Sequence, residues 1–381
     1  MSRHTSDDFA HRLVRWQAHA GRNDLPWQNT RDPYPIWVAE IMLQQTRVAT
    51  AIPYYQRFMA RFPDVATLAC APEDEVLRLW SGLGYYSRAR NLQHAAREIV
   101  TRHAGRFPHA LAEIGRLPGI GRSTAAAIAG FAFGARAAIL DGNVKRVLAR
   151  HFLIEGFPGE PAVERQLWAL AESLVPERGV ETYIQGLMDL GATLCTARRP
   201  ACGRCPVRAT CGAYAANRVT ELPAPRPRKR VPVRGTVMLV LRHGTDVLLE
   251  RRPATGVWGG LWSLPELTDA ADVPAAGGPE ADLAATVKRA VAQRYGFDAR
   301  CAEPLAIVRH TFTHFTLEMR PVLVDVGRID RRAGEPGVRW LPLGEACAAA
   351  LPAPVKRLLL RLGGGASGDQ PSLLEEAVQD L

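Results

Sequence analysis

Four of the seven cysteines in this chain fall in one short segment, with the spacing C-x6-C-x2-C-x5-C. They are Cys195, Cys202, Cys205 and Cys211. Thiolates this close in sequence can converge on one metal centre, and soft sulfur ligands select zinc or an iron–sulfur cluster. Zinc sites commonly carry two C-x2-C pairs, whereas this segment has one, which favours iron–sulfur. The segment is therefore expected to fold as a compact metal-binding loop.

The composition indicates a globular protein that binds a polyanion. At 381 residues the chain is long enough for two or three domains, and its formal net charge is +10. So basic a protein often binds nucleic acid, although a merely basic surface is the alternative. No secretory signal or membrane-spanning stretch is recognisable, so we expect a cytoplasmic protein whose cysteines stay reduced.

The sequence pattern changes twice along the chain. Residues 1–218 carry apolar residues at helical spacing between short Pro and Gly breaks, which predicts an all-α domain. Residues 219–234 alternate proline with basic residues and are typical of an extended linker. Residues 235–362 combine strand patterns with one helical stretch, which predicts an α+β domain. Residues 363–381 open with a glycine run and are expected to form a flexible tail.

The segment LPGIGRSTA, from Leu117 to Ala125, lies between two predicted helices. Gly119 and Gly121 permit a tight turn with an exposed backbone. Their N–H groups, with the start of the next helix, form an anion site suited to a DNA phosphate. An ordinary helix–helix turn is the alternative interpretation.

Two carboxylates are candidates for catalysis. Glu40 lies in the apolar helix WVAEIMLQQT, where burial should raise its pKa and make it a general acid. Asp141 follows an apolar run and precedes a basic helix. The alternatives are a paired helix glutamate at position 40 and a helix cap at position 141.

Six motifs in order carry a family resemblance. They are LPWQNTRDPYPIWVAEIMLQQTRV, SGLGYYSRARNL, LPGIGRSTA, ILDGNVKRVL, MDLGATLC and the cysteine spacing. From about residue 8 to 360 the chain resembles the adenine DNA glycosylase (MutY) branch of the endonuclease III superfamily. The resemblance implies a [4Fe–4S] cluster on the four cysteines. It also implies hydrolytic removal of adenine that is mispaired with 8-oxoguanine or guanine.

The resemblance also assigns roles in the reaction. It implies that Glu40 protonates adenine and then activates water, while Asp141 stabilises the cationic sugar or bonds to it transiently, a division of labour that parallels retaining glycosidases. Asn143 is expected to position one of the two carboxylates. Ser123 occupies the position at which bifunctional relatives carry a lysine nucleophile. Without that amine no Schiff base forms there, so we expect a monofunctional glycosylase.

The target base must leave the helical stack, so contacts to both strands are expected. The resemblance implies DNA contacts from Gln44, Gln45 and Thr46, which follow the Glu40 helix, and from the hairpin residues Gly119, Gly121 and Ser123. It implies that Leu83 and Tyr85 form a wedge beside the lesion. It also implies that Trp27 and Gln185 line the adenine pocket. For Leu83, ordinary core packing is a serious alternative.

The second domain resembles a Nudix fold without the acids of a Nudix hydrolase. Gly260 and Glu266 fit the start of the catalytic motif, but the following helix, 281–295, has only one acidic residue. The resemblance implies that this domain recognises 8-oxoguanine instead. The string RHTFTHFTLEM matches the recognition loop and contains Phe312, Thr313 and His314.

Several expectations concern partners and competing functions. The expected partner is duplex DNA with an A:8-oxoG or A:G mispair, bound by a monomer beside the bacterial nucleoid. The tail segment QPSLL, residues 370–374, faintly resembles peptides that dock on the sliding clamp. A bifunctional pyrimidine lyase and a non-catalytic DNA-binding protein are the competing functions. Ser123 and the second domain oppose the former, and the presence of both Glu40 and Asp141 opposes the latter.

Overall fold

The computed structural model describes residues 3–227, 231–267, 280–327 and 337–364. The chain divides into two compact units, Met1–Lys229 and Arg230–Leu381. Each unit has its own hydrophobic core, so each is considered by itself.

The described part of the first unit is helical. Its α-helices are α1 (Arg3–Ala20), α2 (Pro33–Leu43), α3 (Val48–Arg61), α4 (Val65–Cys70), α5 (Glu73–Trp80), α6 (Ser87–Arg102), α7 (Leu111–Ile114), α8 (Arg122–Phe133), α9 (Gly142–His151), α10 (Pro161–Ser173), α11 (Val180–Asp189) and α12 (Gly212–Ala215). A π-helical turn, Leu190–Leu194, follows α11 directly, and two short 3-10 turns, Cys202–Arg204 and Arg208–Thr210, lie among the cysteines.

Helix α2 runs through the middle of this unit. Asp32 caps it by accepting a hydrogen bond from the Tyr34 N–H (2.9 Å), and Pro33 is tolerated in the first turn, where its missing N–H has no intrahelical partner. Trp37 and Met42 are fully buried. Because α2 packs against α3, α6 and α8, a carboxylate in its centre is removed from bulk water.

Helix α8 supplies the close packing that brings α2 and α11 together. Its alanines Ala125, Ala126, Ala127 and Ala129 are buried. Gly130 follows these alanines: a Cβ added there would lie 2.4 Å from the Ile184 side chain of α11. Small side chains therefore set the spacing of the three helices that enclose the candidate site.

The described part of the second unit is a mixed sheet covered by helices. Its strands are β1 (Val233–His243), β2 (Asp246–Arg251), β3 (Trp262–Ser263), β4 (Glu266–Leu267), β5 (Ala299–Pro304), β6 (Val308–Thr311), β7 (Thr316–Val326) and β8 (Val338–Pro342), and its helices are α13 (Glu280–Tyr295), α14 (Leu343–Ala348) and α15 (Ala353–Leu362). The path β3-β2-β1-β7-β5 has a parallel β1–β7 pair at its centre, while β4, β6 and β8 pair with β1, β7 and β2.

Alternation along β1 divides this sheet into two apolar faces. Val237 and Leu239 pack with α13, whereas Met238 and Val240 pack with the α14–α15 side. The sheet is therefore the middle layer between helices.

The predicted fold class, a helical region followed by an α+β region, is confirmed. Strand β1 begins at Val233, so the last two residues of the expected 219–234 linker belong to the sheet. The expected tail contacts at 370–374 lie outside the described residues. Within the residues searched, none of the helices has the length and apolar character needed to span a bilayer.

Candidate active site and cluster loop

A cavity of about 500 Å³ lies in the first unit between α2, α11 and the segment that joins α1 to α2. Trp27, Glu40 and Gln185, which are far apart in sequence, all line it. Ile36 and Leu43, the apolar neighbours of Glu40 on α2, line it too. The structure thus brings the expected acid and both expected pocket residues together in one concave site.

The Glu40 carboxyl is held in a poorly hydrated position. Burial raises its pKa to about 8, and the negative charge of Asp141 adds to the increase. The residue keeps some accessible surface because it lines the cavity wall. At neutral pH Glu40 therefore carries a proton that it can donate to a base in the cavity.

Asp141 is the N-cap of α9, and its Oδ1 accepts the Val144 N–H (2.7 Å). Burial raises the pKa of Asp141, while backbone N–H bonds from Val144 and Asn143 and the charge of Arg146 oppose that rise. The capping interpretation of Asp141 is correct as a description of its local role. Capping also fixes the carboxylate near Glu40 and supplies donors that favour its ionised form.

Asn143 contacts Asp141 through its backbone. Its side-chain Oδ1 accepts a hydrogen bond from Arg146 Nη2 (2.7 Å), and Arg146 also donates to the Gly191 carbonyl (2.8 Å). The predicted positioning of a carboxylate by Asn143 therefore depends on its N–H group here, while its side chain orients Arg146, which ties α9 to the π-helical turn.

The hairpin between α7 and α8 has the geometry of an anion site. Gly119 has a φ of 80°, and a Cβ there would lie 2.7 Å from the Asn91 Cβ. Gly121 caps α8 without a side-chain hydrogen bond, and both glycines are exposed. The N–H groups at the start of α8 are therefore available to a phosphate.

Ser123 has a structural partner that the sequence did not reveal. Its Oγ accepts the Leu140 N–H (2.9 Å), one residue before Asp141. The hydroxyl that replaces the lysine amine thus ties α8 to the segment that carries the second carboxylate.

A buried acid that sequence reasoning missed organises the polar wall of the cavity. Asp189, at the end of α11, is fully buried. Its Oδ1 accepts from Arg22 Nε (2.7 Å) and from Gln185 Nε2 (2.8 Å), and its Oδ2 accepts the Arg22 N–H (2.8 Å). Asp189 lies in an apolar run, LMDLG, the same signal that drew attention to Glu40.

The two segments expected to enter DNA differ in exposure from residue to residue. Gln45 and Tyr85 are exposed, Tyr85 by 44%, whereas Leu83 is 7% exposed and packs inward. Gln44 donates to Thr124 Oγ1 of α8 (3.3 Å). In this structure Tyr85 is available as a wedge, and the core-packing alternative describes the position of Leu83.

The four clustered cysteines are electrostatically coupled. Burial raises the pKa of Cys205 to about 11, and the other three thiols contribute to the increase. Arg150 approaches Cys195 Sγ (3.4 Å) and donates to the carbonyls of Thr196 and Ala197. Thiols that lie close enough to raise one another's pKa, in a loop held by Arg150, fit the four thiolate ligands of an iron–sulfur cluster.

In the second unit, the loop expected to read the lesion joins β6 to β7. The Phe312 N–H donates to the Phe315 carbonyl (2.8 Å), which closes a tight turn around Thr313 and His314. Both turn residues are exposed, while Phe312 stacks on Phe315 at 4.7 Å. The loop therefore presents two polar side chains on an aromatic base.

The acid expected to begin a Nudix motif is engaged elsewhere. Glu266 pairs with Arg252, and both side chains are largely buried. A glutamate neutralised in this way is a poor metal ligand, in keeping with a sheet used for binding.

Three family models match separate parts of the chain. Residues 38–173 match the HhH-GPD superfamily base excision DNA repair protein, residues 195–211 the iron–sulfur binding domain of endonuclease III, and residues 236–361 the NUDIX domain. The expected [4Fe–4S] cofactor is thereby confirmed.

Relatives of known activity match nearly the whole chain. An adenine DNA glycosylase of Buchnera aphidicola subsp. Baizongia pistaciae is 34% identical over 355 residues, covering 93% of this chain and 96% of that protein. The adenine DNA glycosylase of Mus musculus is 34% identical over 402 residues, covering 92% and 77%. A solved structure of a thermostable thymine-DNA glycosylase has a TM-score of 0.50 and 32% identity, covering 55% of this chain and 97% of that chain. The chain therefore belongs to the adenine DNA glycosylases, enzymes of base excision repair that hydrolyse an N-glycosidic bond.

Proposed function

We propose that this glycosylase removes adenine opposite 8-oxoguanine or guanine, and that it does so without cleaving the strand. The observation that carries the proposal is the buried Glu40 carboxyl on the wall of a cavity of about 500 Å³, where burial and the nearby Asp141 carboxylate raise its pKa. An acid paired with an anion is what departure of a poor leaving group from a sugar requires.

The proposed reaction runs in two stages. Glu40 donates its proton to N7 of adenine, the bond between C1′ and N9 breaks, and both bonding electrons leave with the now neutral base. The sugar becomes an oxocarbenium-like cation that the Asp141 carboxylate stabilises. Glu40, now ionised, accepts a proton from the attacking water, whose oxygen forms the new bond to C1′. The proton returns to Glu40, so the cycle closes.

The polar wall supports selection of adenine. A carboxylate can only accept hydrogen bonds, so the amide nitrogen of Gln185 must face Asp189. Gln185 Oε1 is then left as an acceptor on the cavity side, where it suits the exocyclic amino group of adenine. A base with a carbonyl oxygen at the same position would meet a second acceptor there and be rejected.

The cluster loop and the hairpin support DNA binding. Cys195, Cys202, Cys205 and Cys211 are the residues that would hold the cluster, and its iron–sulfur bonds would cross-link the loop. Gly119 and Gly121 present N–H groups to a phosphate. In the second unit, Thr313 and His314 are the exposed groups that would contact 8-oxoguanine. The absence of an amine at Ser123 supports base removal without strand cleavage.

A duplex that carries one adenine opposite 8-oxoguanine tests the proposal against both competing functions. Strand cleavage that appears only after alkali treatment is expected. Cleavage without alkali would indicate a lyase, and binding without base release would indicate a non-catalytic protein. The Glu40→Gln variant should bind this duplex and release no adenine, with Glu177→Gln, at an exposed acid, as the control.

Other features stay predictions. We propose that the first domain ends near residue 218, that the second extends from the start of β1 at Val233 to about residue 362, that the enzyme acts as a monomer in the bacterial cytoplasm, and that the tail docks on the sliding clamp. Failure of a 368–381 deletion to change a clamp pull-down would contradict the last of these.

A further inference from the structure

Arg88, in the first turn of α6, occupies an unfavourable position for a cation. It is only 8% exposed, and burial lowers its pKa to about 10. In the described part of the chain, its guanidinium donates to carbonyl and hydroxyl oxygens and to no carboxylate. The start of a helix also repels positive charge. Such a placement persists only where other contacts offset it.

One set of contacts joins Arg88 to the end of the catalytic helix α2. Its Nη1 donates to the carbonyls of Ile41 (3.0 Å) and Met42 (2.8 Å), and to that of the helix C-cap, Gln44. The last carbonyls of a helix have no intrahelical partner and carry partial negative charge. The guanidinium therefore caps α2 from another helix.

A second set joins Arg88 to the loop between α5 and α6. Its Nη2 donates to the carbonyls of Leu83 (3.4 Å) and Gly84 (3.2 Å), and also to Thr46 Oγ1 (3.2 Å). The guanidinium carbon lies 5.4 Å from the centre of the Tyr85 ring. One planar side chain thus spans two loops that are about forty residues apart in sequence.

The tips of these two loops are Gln45 and Tyr85, both exposed. Gln45 has a φ of 55° and Tyr85 a φ of 50°, a left-handed conformation that is costly for residues other than glycine. The Arg88 bonds fall on the residues that flank each tip: Gln44 and Thr46 for the first, Gly84 for the second. These bonds hold both strained tips in place at the same time.

We propose that Arg88 is a positioning residue that fixes Gln45 and Tyr85 as one rigid, two-pronged wedge, which displaces a paired adenine from the DNA stack. The inference rests on the proposed entry of these two residues into DNA. Because Arg88 also caps α2, which carries Glu40, the wedge and the acid keep a fixed position relative to each other. The extruded adenine therefore enters the cavity next to the Glu40 carboxyl.

The role predicts a defect in base extrusion that spares the chemical step. Arg88→Lys keeps the charge but has no planar fork with which to reach both loops. Arg97→Lys is the matched control, since Arg97 lies on the same helix and donates to a single carbonyl, that of Ala69 (3.1 Å).

The single-turnover rate of adenine excision is measured on two duplexes. In the first, the adenine lies opposite 8-oxoguanine; in the second, the same adenine lies opposite an abasic-site analogue. Extrusion from the second duplex breaks no base pair and less stacking. For Arg88→Lys we expect a rate loss of at least roughly tenfold on the first duplex and a loss below roughly threefold on the second. A 2-aminopurine placed beside the adenine should show a correspondingly slower rise in fluorescence. Arg97→Lys should match the parent on both.

Equal losses on both duplexes, or no loss on the first, would overturn the inference. If Arg88→Lys does not fold, as judged by its melting temperature and cluster absorbance, Thr46→Val removes one acceptor and should give a smaller loss with the same selectivity. A parent enzyme that excises adenine from neither duplex would instead contradict the proposed function, so the two failures are distinguishable.

Discussion

Glu40 and Asp141 are both carboxylic acids, but their surroundings favour different protonation states. Glu40 has a pKa of about 8 because it is buried beside another acid, whereas Asp141 receives backbone N–H bonds that favour its charge. The proposed acid works only when protonated. We therefore expect the single-turnover rate to fall as the pH rises through about 8, by roughly tenfold per pH unit above it. A rate that stays flat from pH 6 to 10 would contradict the assignment.

The same residue makes a prediction about stability. The folded pKa of Glu40 lies above its ordinary value of 4.5, so between pH 4.5 and about 8 the folded protein binds a proton that the unfolded chain has released. This contribution to stability is full below pH 4.5 and is lost as the pH rises through 8. Glu40→Gln should match the parent in melting temperature at pH 4.5 and exceed it at pH 9. Thermal unfolding at both pH values checks this, with Glu177→Gln, at an exposed acid, as the control.

Asp189 should decide which base the cavity accepts. In Asp189→Asn the new amide can donate as well as accept, so the orientation of Gln185 is no longer fixed and Arg22 loses its ion pair. We expect the rate of adenine excision to fall tenfold or more, which is on the order of the free energy of one charge-assisted hydrogen bond. The rate for hypoxanthine, which carries an oxygen in place of the amino group, should fall less. Parallel excision assays on the two bases measure the ratio, and an unchanged ratio would contradict this role.

Much of the site could be predicted at the residue scale, for a physical reason. Glu40 interrupts an apolar helix, and Asp141 precedes a basic helix; both signals are local in sequence. Arg88 gave no such signal, because in SRARNL it resembles any solvated helix cation. Its role depends on carbonyls that two distant loops bring around it. The sequence pattern also could not predict which of Leu83 and Tyr85 is buried and which is exposed. Both lie in an irregular loop, where a two-residue spacing does not determine which side chain points inward.

At the scale of elements, the contact between α9 and the π-helical turn positions the second carboxylate. A Cβ at Gly191 would lie 2.6 Å from the Asn143 Cβ and 3.2 Å from its Cα, so backbone would have to move. Gly191→Ala should lower the free energy of unfolding by about 1–3 kcal/mol through overpacking and reduce excision by displacing Asp141. Denaturant unfolding and single-turnover assays measure both effects.

Gly142 provides the matched control for that change. It lies in the first turn of α9, and a Cβ there meets nothing within 4 Å. Gly142→Ala should therefore leave stability unchanged or slightly raised. Equal destabilisation by the two substitutions would show that helix α9 tolerates no added methyl group and that the contact with Gly191 is not special.

Boundaries of elements were predictable only in part. The pair His243-Gly244 has the composition of a turn, and β1 ends and β2 begins around it. The start of β1 at Val233 was hidden, because Pro232 and Arg234 continue the proline and basic pattern of the preceding segment. Pairing with β7 from Thr316 onward extends the strand to Val233, and that long-range partner is absent from any local pattern.

At the scale of the whole molecule, the proposed roles fall in two compact units: the first carries Glu40 and the cluster loop, and the second carries the exposed turn at Thr313. If the proposed chemistry resides in the first unit, a change in the second should alter which opposite base is preferred and leave the reaction itself intact. The net charge of +10 supports binding to any duplex, so the proposed preference requires specific contacts.

Thr313→Ala tests that division. The substitution removes the exposed hydroxyl and leaves the Phe312–Phe315 stack that supports the turn. We expect affinity for a duplex with 8-oxoguanine opposite adenine to fall roughly fivefold, the effect of about 1 kcal/mol for one hydrogen bond, while affinity for the A:G duplex and the single-turnover rate stay unchanged. Thr311→Ala, on the same β6–β7 hairpin, is the control. Equal losses on both duplexes would mean that Thr313 contacts the DNA backbone, and no loss on either would place lesion recognition elsewhere.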